Sequence, residues 1–172
     1  MTIHNLEKKT KEIFSISFVI STLFLFVLLS GCDPARVYET NREVSNDAWA
    51  INDTLRFDFE INKPDKKYNI FYNIRYTEDY NFYNIYISHT LRDSSGVPIA
   101  TVNQPQNMDL FASTTGAPLG SGFSNSYDYR IKVLQDFTFP YAGMYSISLK
   151  QFMREDPLQG IRAVGIRIEE AE

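Results

Sequence analysis

The sequence predicts an all-β fold, a single antiparallel β-sandwich of jelly-roll-like topology. Period-two alternation of apolar and polar residues recurs from residue 55 to the C-terminus, which is typical of strands with one buried face. After the first thirty or so residues, no segment sustains the 3.6-residue apolar period of a helix. Gly and Pro turn signals separate the alternating segments, as they do in sandwiches. The length of 172 residues fits one domain.

The first 31 residues have the three parts of a secretory signal. Lys8, Lys9 and Lys11 form a positive segment, residues 13–29 form an uncharged apolar run, and Ser30-Gly31 are small. A run of this length, at about 1.5 Å per residue, barely crosses a hydrocarbon core of roughly 30 Å. The segment is therefore predicted to be a signal peptide that is absent from the mature chain.

The sequence Leu29-Ser30-Gly31-Cys32 resembles a bacterial lipobox, which places the cleavage between Gly31 and Cys32. Cys32 is the only cysteine of the chain. We expect its thiol to carry a diacylglyceryl thioether and its amine an acyl chain, and we expect no cofactor beyond these covalent lipids. Two or three acyl chains hold a protein on a membrane far more firmly than one. No cysteine remains for a disulfide, so the domain depends on its core.

Residues 32–48 are polar and mixed, and they are predicted to be a lipidated tether. The sandwich domain is predicted to span residues 49–172. Within it, residues 68–77 and 82–91 carry many aromatic residues and are predicted to pair as a hairpin, and residues 113–126 are predicted to be a glycine-rich loop. The alternation predicts strands at residues 55–61, 68–77, 82–91, 98–102, 108–112, 129–137, 144–152 and 161–169.

The tyrosines of these two strands are the main candidates for a functional surface. Tyr72, Tyr76, Tyr83 and Tyr86 are the candidate interaction face. Such rings could contact a protein partner, or they could stack on sugar rings while Asn amides bond the hydroxyls. They could also be core residues, because aromatic residues suit strands and their alternate members face inward. The three interpretations stay open at this stage.

Catalytic chemistry is hard to build from this sequence. Once His4 leaves with the signal, His89 is the only histidine, and no Gly-x-Ser-x-Gly turn is present. One histidine without a free thiol is a poor zinc site, and no calcium loop motif occurs. Removal of residues 1–31 leaves 14 basic and 19 acidic residues, a net charge of −5, which argues against nucleic acid as a partner. We predict no enzyme, no metal and no small-molecule ligand.

The C-terminal segment, QFMREDPLQGIRAVGIRIE from Gln151 to Glu169, resembles the ending of the GldH family of gliding motility lipoproteins. Residues 68–84, the Leu119–Gly122 loop and the lipobox agree with that pattern, so the resemblance covers essentially the whole mature chain. It implies a non-enzymatic Bacteroidota envelope lipoprotein that is required for gliding, as a structural or assembly partner of the gliding and type IX secretion machinery. The family carries no catalytic residues.

The expected location is the periplasmic face of the outer membrane, with the inner membrane and the cell surface as alternatives. A glycan-binding lipoprotein that uses the tyrosine-rich strands is the alternative function. Asp53-Thr54-Leu55 also resembles the acceptor for O-glycosylation of exported Bacteroidota proteins, so Thr54 is a candidate glycan site.

Overall fold

The computed structural model describes residues 33–101 and 104–171. Residues from Ala35 onward form one compact unit. The predicted lipid attachment at Cys32 and the cleavage after Gly31 lie outside the described residues. Within the described part of the chain, no helix is both long and apolar enough to cross a membrane.

The described chain is almost entirely β-structure, which confirms the predicted fold class. Its one helical segment among the described residues is a short 3-10 turn at Ser45–Asp47. The strands are β1 (Arg36–Glu43), β2 (Ala48–Trp49), β3 (Leu55–Ile61), β4 (Lys67–Tyr76), β5 (Asn84–Asp93), β6 (Pro98–Thr101), β7 (Gln106–Asp109), β8 (Ser121–Gly122), β9 (Tyr127–Thr138), β10 (Gly143–Gln151), β11 (Leu158–Gln159) and β12 (Ile161–Glu170).

Most strands form two antiparallel sheets with the connectivity of a jelly roll, and β2 pairs with β11 in a separate two-stranded sheet. The first sheet has the order β1-β12-β4-β9-β8, and the second has the order β3-β10-β5-β6 with β7 also paired to β5. Most successive long strands alternate between the sheets. The predicted hairpin of residues 68–77 and 82–91 is therefore wrong, because β4 lies in the first sheet and β5 in the second. Their side-chain patterns match because both strands face one shared core, not because they pair.

Alternation decides which side chains form that core. In β3, Leu55, Phe57, Phe59 and Ile61 are buried and the residues between them are exposed. Fully burying such side chains contributes about 1.5–3 kcal/mol each. Phe139 adds a ring that packs edge-on against Phe59, with the centroids 5.9 Å apart. The core is therefore continuous between the two sheets, and no disulfide is needed to hold them.

The predicted tether is wrong over much of its length. Residues 36–43 form β1, which pairs with β12 from Arg36 opposite Glu169 to Glu43 opposite Ala163. The side chains of β1 are mostly exposed and show no alternation, so they give no strand signal in the sequence. Its pairing is made by backbone hydrogen bonds, which a side-chain pattern does not record. The folded domain starts near Ala35 rather than at residue 49.

The antiparallel register defines two ends of the sandwich. The Arg36 end holds the starts of β1, β4 and β10 and the ends of β3, β5, β9 and β12. The Tyr76 end holds the end of β4, the start of β5 and the end of β10. Each candidate surface below is located by the end at which it lies.

Candidate functional site

Two of the four candidate tyrosines are core residues, so the predicted interaction face is wrong for them. Tyr72 and Tyr76 have no exposed surface. In β4 they share a face with Ile70 and Ile74, which are also buried. Residues two apart on a strand lie on the same face, so this face is the one that packs against the second sheet. The isoleucines between the tyrosines are the signal that could have identified the core.

Tyr76 fixes the loop that follows β7. Its hydroxyl lies 2.5 Å from the carbonyl oxygens of both Leu110 and Leu119. Burial raises the pKa of Tyr76 to about 12, so the hydroxyl stays protonated and donates. The long loop predicted at residues 113–126 is therefore held to the Tyr76 end of the sandwich, with only the short strand β8 inside it.

His89, the one histidine available for catalysis, lies in the core. It is 2% exposed, and its Nδ1 is hydrogen bonded to the Tyr72 hydroxyl. Burial lowers the pKa of His89 to about 4 and raises the pKa of Tyr72 far above its usual value. A neutral imidazole between two sheets is a structural group, and it is closed to a substrate at the surface. In the described residues, no group of three or more His, Cys, Asp or Glu side chains could hold a metal ion.

The other two candidate tyrosines are exposed at the Tyr76 end. Tyr83 is 54% exposed and Tyr86 is 38% exposed. Tyr86 lies on the outer face of β5, because Ile85 and Ile87 on either side of it are buried. The structure thus splits the predicted face, with one pair of tyrosines in the core and the other at the surface.

Phe152 joins Tyr86 on this surface, and the sequence analysis did not single it out. The pair Gln151 and Ile87 ends the register between β10 and β5, and the Phe152 N–H donates to the Tyr86 carbonyl at 2.8 Å. Phe152 is therefore opposite Tyr86, and it is 57% exposed. Through the second half of β10, every second residue, namely Ile147, Leu149 and Gln151, is buried. This alternation in the sequence indicated that the next residue, Phe152, faces outward.

On its other side, Tyr86 is opposite Asn107 of β7. Both backbone groups of Tyr86 are used toward β10, since its N–H donates to the Met153 sulfur at 3.3 Å and its carbonyl accepts from Phe152. The pair with Asn107 is consequently of the non-hydrogen-bonded kind, in which side chains approach most closely. Phe152, directly after β10, forms a row with Tyr86 of β5 and Asn107 of β7, which we call the aromatic row.

One hydrogen bond between the two amides beside Tyr86 uses part of their hydrogen-bonding capacity. The Asn84 amide nitrogen donates to the Asn107 side-chain oxygen, and Asn84 is buried. A sugar platform needs free amides or carboxylates next to the ring to bond hydroxyls. The aromatic row therefore offers apolar contact area more than hydrogen-bonding capacity.

The outer face of the first sheet carries a charged network. Glu39 of β1 accepts from Arg167 at 2.6 Å, from Asn73 at 2.9 Å and from Arg130 at 3.0 Å. Burial alone would raise the pKa of Glu39, but the hydrogen bonds from Arg167 and Asn73 and the positive charges outweigh it and lower the pKa. A shallow cleft of about 440 Å³ crosses this face. Because its polar groups bond one another, we regard the network as structural.

The candidate glycan site at Thr54 is exposed, in the segment before β3. Its accessibility is compatible with modification, and O-glycosylation there stays a prediction. The preceding residue is held in place, because the Trp49 indole N–H donates to the Asp53 carbonyl at 2.8 Å.

Comparison with known proteins decides the family. The family model described as GldH lipoprotein matches residues 36–168. The chain belongs to the GldH lipoprotein family. The matched residues run from the start of β1 into β12 and thus cover nearly the whole sandwich, in agreement with the resemblance of the C-terminal segment.

Two relatives carry the family name. The gliding motility lipoprotein GldH of Flavobacterium johnsoniae is 29% identical over 157 residues, which are 87% of this chain and 94% of that protein. The GldH homolog of Christiangramia forsetii is 27% identical over 169 residues, which are 94% of this chain and 99% of that protein.

Among solved structures, a carbohydrate-binding module specific for non-crystalline cellulose, CBM28, is similar with a TM-score of 0.39. The sequence identity is 13%, and the match covers 77% of this chain and 73% of that chain.

Proposed function

We propose that this GldH family member is a non-enzymatic, lipid-anchored component of the gliding machinery that binds another envelope protein through the aromatic row. The relatives named for gliding motility support the process, and the signal sequence supports the anchor at Cys32. The observation that carries the contact is the row itself, with Phe152 and Tyr86 exposed side by side and Tyr83 exposed nearby in the chain.

The chemistry of the row favours a protein partner. Large aromatic side chains that are exposed together are enriched at protein interfaces, where they supply most of the binding energy. The buried Asn84 amide donates to Asn107 and is not available, so only the exposed Asn107 amide nitrogen could bond a sugar hydroxyl beside Tyr86. We therefore place the partner among the gliding and type IX secretion proteins of the envelope. Glycan binding through Tyr83 and Tyr86 is the second candidate, supported by their exposure.

The test is a crosslinking pull-down of the tagged protein from its native host, read by mass spectrometry. The double variant Tyr86→Ala with Phe152→Ala should lose the envelope partner and the spreading of colonies, while the protein level stays normal. Phe123→Ala is the matched control, since it removes a ring that is 89% exposed but lies in the β8–β9 connection. If the double variant recovers the same proteins as the control, the row is not the contact.

The glycan alternative predicts a different outcome in the same material. Recovery of glycan-linked material, lost in the double variant while protein partners remain, would move the function to sugar binding. Purified protein on a glycan array then gives the direct measurement. Stacking of a sugar on Tyr86 would also quench or shift tyrosine fluorescence, whereas a protein contact needs the partner to be present.

We also propose that the anchor holds the domain at the periplasmic face of the outer membrane. The mature N-terminal peptide should have the mass of a Cys32 that carries acyl chains, and Cys32→Ser should release the protein from the membrane fraction. Strong labelling of the domain by surface biotinylation of intact cells would place it outside the cell instead. Preferential recovery in the inner-membrane fraction would contradict the outer-membrane assignment.

A further inference from the structure

At the Arg36 end of the sandwich, the start of the domain is bonded to the neighbouring strand and loop. The Ala35 carbonyl accepts from the Glu170 N–H at 2.8 Å, so the backbone is held just before β1 begins. The loop between β3 and β4 joins the same end, because Lys63 pairs with the Glu170 carboxylate at 3.2 Å. The first residue of the domain is thereby tied to the neighbouring strand and loop.

The connection from the proposed anchor to this end is very short. Cys32 and Ala35 are three residues apart, so their Cα atoms are at most about 11 Å apart. The headgroup region on each side of a bilayer is roughly 5–7 Å thick. If Cys32 is lipidated as proposed above, Ala35 lies at or just above the headgroups. The tether predicted for residues 32–48 is therefore much shorter, because β1 already begins at Arg36.

The opposite end is far from the membrane in this arrangement. Tyr86 and Asp93 lie seven residues apart on β5, which is about 24 Å at roughly 3.4 Å per residue. Asp93 is at the Arg36 end, where it pairs with Tyr145 of β10. An upright sandwich would therefore hold the aromatic row well away from the headgroups, where a periplasmic partner can reach it.

Exposed apolar side chains supply a second reason for this orientation. Four of the eight large exposed hydrophobic residues in the described chain are at the Arg36 end, with exposures from 40% to 55%; they are Val37, Val97, Tyr141 and Met144. Three of them surround one turn. The Tyr141 hydroxyl donates to the Asp93 carboxylate at 2.7 Å, the Asp93 N–H donates to the Val97 carbonyl at 3.0 Å, and Met144 lines a cleft with residues 93–96.

The ring of Tyr141 is held in an outward position. It stacks on Tyr145 with the ring centroids 5.6 Å apart, and its hydroxyl donates to the Asp93 carboxylate. A tyrosine with an apolar body and a polar tip suits the interface between lipid and water. Valine and methionine on either side add apolar surface that gains by contact with the headgroup and acyl boundary.

Electrostatic attraction to lipid headgroups does not explain a membrane contact at this end. Lys63 and Lys66 both pair with Glu170, and Asp93 accepts from the N–H groups of Ser95 and Val97 in addition to Tyr141. Both lysines are thus paired within the protein, exposed Lys67 is balanced in number by exposed Asp65, and Asp93 keeps its negative charge, so this end carries no excess of basic residues for anionic lipids. Contact with the membrane should therefore depend on apolar burial and tolerate salt.

We propose that the Arg36 end is a membrane-facing surface, on which Val97, Tyr141 and Met144 rest in the lipid headgroup region and hold the sandwich upright. The occupant of this surface is the lipid bilayer that carries the anchor. The proposal rests on lipidation of Cys32 and adds a fixed orientation to it. An upright domain presents the aromatic row at a constant height above the membrane.

Site-specific fluorescence can test the orientation because the chain has a single cysteine, whose thiol is consumed by the lipid. The acylated full-length lipoprotein is placed in phosphatidylethanolamine vesicles that contain headgroup spin-labelled lipid. An environment-sensitive dye is attached to Val97→Cys or Met144→Cys, with Phe123→Cys as the control at the Tyr76 end. Quenching at residues 97 and 144 should be about threefold greater than at residue 123, because headgroup quenchers act only close to their layer.

The outcomes separate the orientation from the anchor. Equal quenching at residues 97 and 123, in protein whose mass shows the acyl chains, would overturn the membrane-facing surface and leave the anchor intact. Protein that lacks the acyl chains and fails to float with the vesicles would overturn both. Quenching that disappears in about 0.5 M salt, where the screening length is only a few Å, would contradict an apolar contact. Tyr141→Ser should reduce the quenching at residue 144 without releasing the protein.

Discussion

Tyr72 and His89 meet in the core from opposite sheets, with the tyrosine hydroxyl hydrogen bonded to Nδ1 and the two rings crossed at 84°. The other ring nitrogen of His89 is buried and has no hydrogen-bond partner among the described residues. An imidazole in this position is neutral in the folded protein, since burial lowers its pKa to about 4. The pair therefore couples the packing of the two sheets to pH.

The stability of the domain should fall on mild acidification because of His89. The folded pKa of about 4 lies below the unfolded value of 6.5, so the unfolded state binds the proton first and stability is lost as pH falls from 6.5 toward 4. Between pH 7 and pH 5 we expect a loss of about 2 kcal/mol. Urea denaturation at several pH values measures it.

Two variants distinguish the contribution of the His89 imidazole to the pH dependence from that of the Tyr72 hydroxyl. His89→Leu should flatten the dependence between pH 7 and pH 5, while Tyr72→Phe should keep most of it. A slope that persists in His89→Leu would show that another group is responsible. Carboxylates titrate mainly below this range, so they interfere little.

Arg167 should be among the costly charged residues to remove. Its side chain is 5% exposed, and it bonds Glu39 of the edge strand at 2.6 Å as well as Glu169. Breaking a buried pair leaves an uncompensated charge, at a cost of about 3–5 kcal/mol. Arg167→Ala removes the shared cation of Glu39 and Glu169 and should approach this value, whereas Glu39→Gln should cost less because Glu169 still pairs with Arg167.

A double-mutant cycle measures the coupling between the two residues. Arg167→Met with Glu39→Gln should be more stable than the sum of the single effects implies, since no buried charge is left unpaired. Additive losses in urea denaturation would mean that the two residues act independently, which the geometry contradicts. Lys132→Met, an exposed cation of the same sheet, is the control for loss of surface charge.

Gly160 should tolerate no side chain. It has a φ of +81°, and an added Cβ would lie 2.7 Å from the backbone nitrogen and Cα of Tyr80. Its own backbone is also hydrogen bonded, since its N–H donates to the Asp47 carbonyl and its carbonyl accepts from the Thr77 N–H. We expect Gly160→Ala to cost about 3 kcal/mol or more, the sum of strain and overpacking.

Gly116 provides the matched control for this substitution. It has a φ of +67°, but an added Cβ would meet nothing within 4 Å. Gly116→Ala should therefore cost only the strain, about 1–2 kcal/mol. Thermal or urea unfolding of both variants gives the difference. Equal losses would show that the approach of Tyr80 relaxes freely.

Alternation predicted the strands whose two faces differ in burial. β3 matches the prediction to the residue, because each of its apolar residues is inward. The same rule failed where both faces carried aromatic residues, as at Tyr72 and Tyr86, since alternation gives two faces without saying which one is covered. The topology then decides, because β4 and β5 lie in different sheets and face each other across the core.

Strand pairing between residues far apart in the chain accounts for the other features that could not be predicted from the sequence. Glu39 and Arg167 are 128 residues apart in the chain, and only the β1–β12 pairing brings them together. Phe152 became a candidate only once the β10–β5 register placed it beside Tyr86. The shortness of the connection after Cys32 follows from the same β1 pairing.

A chain that begins at Trp49, the boundary suggested by the sequence, should fold poorly compared with one that begins at Ala35. Removing β1 strips the pairing from one side of β12 and takes Glu39 away from Arg167. We expect a loss of about 3 kcal/mol or more from the ion pair and the strand pairing together, and a fall in Tm of roughly 10 °C at the 2–8 °C per kcal/mol typical of single domains.

The Ala35 chain carrying Glu39→Gln isolates the contribution of the strand itself. If the Trp49 chain is less stable than this variant, the backbone pairing of β1 stabilises the domain beyond the ion pair. Exposed β12 would also be an open edge, so the shorter chain should aggregate at concentrations where the longer one stays monomeric. Circular dichroism melts and light scattering measure both effects. Equal Tm values for the Ala35 and Trp49 chains would return residues 36–43 to the role of a tether, and with it the membrane-facing orientation would lose its basis.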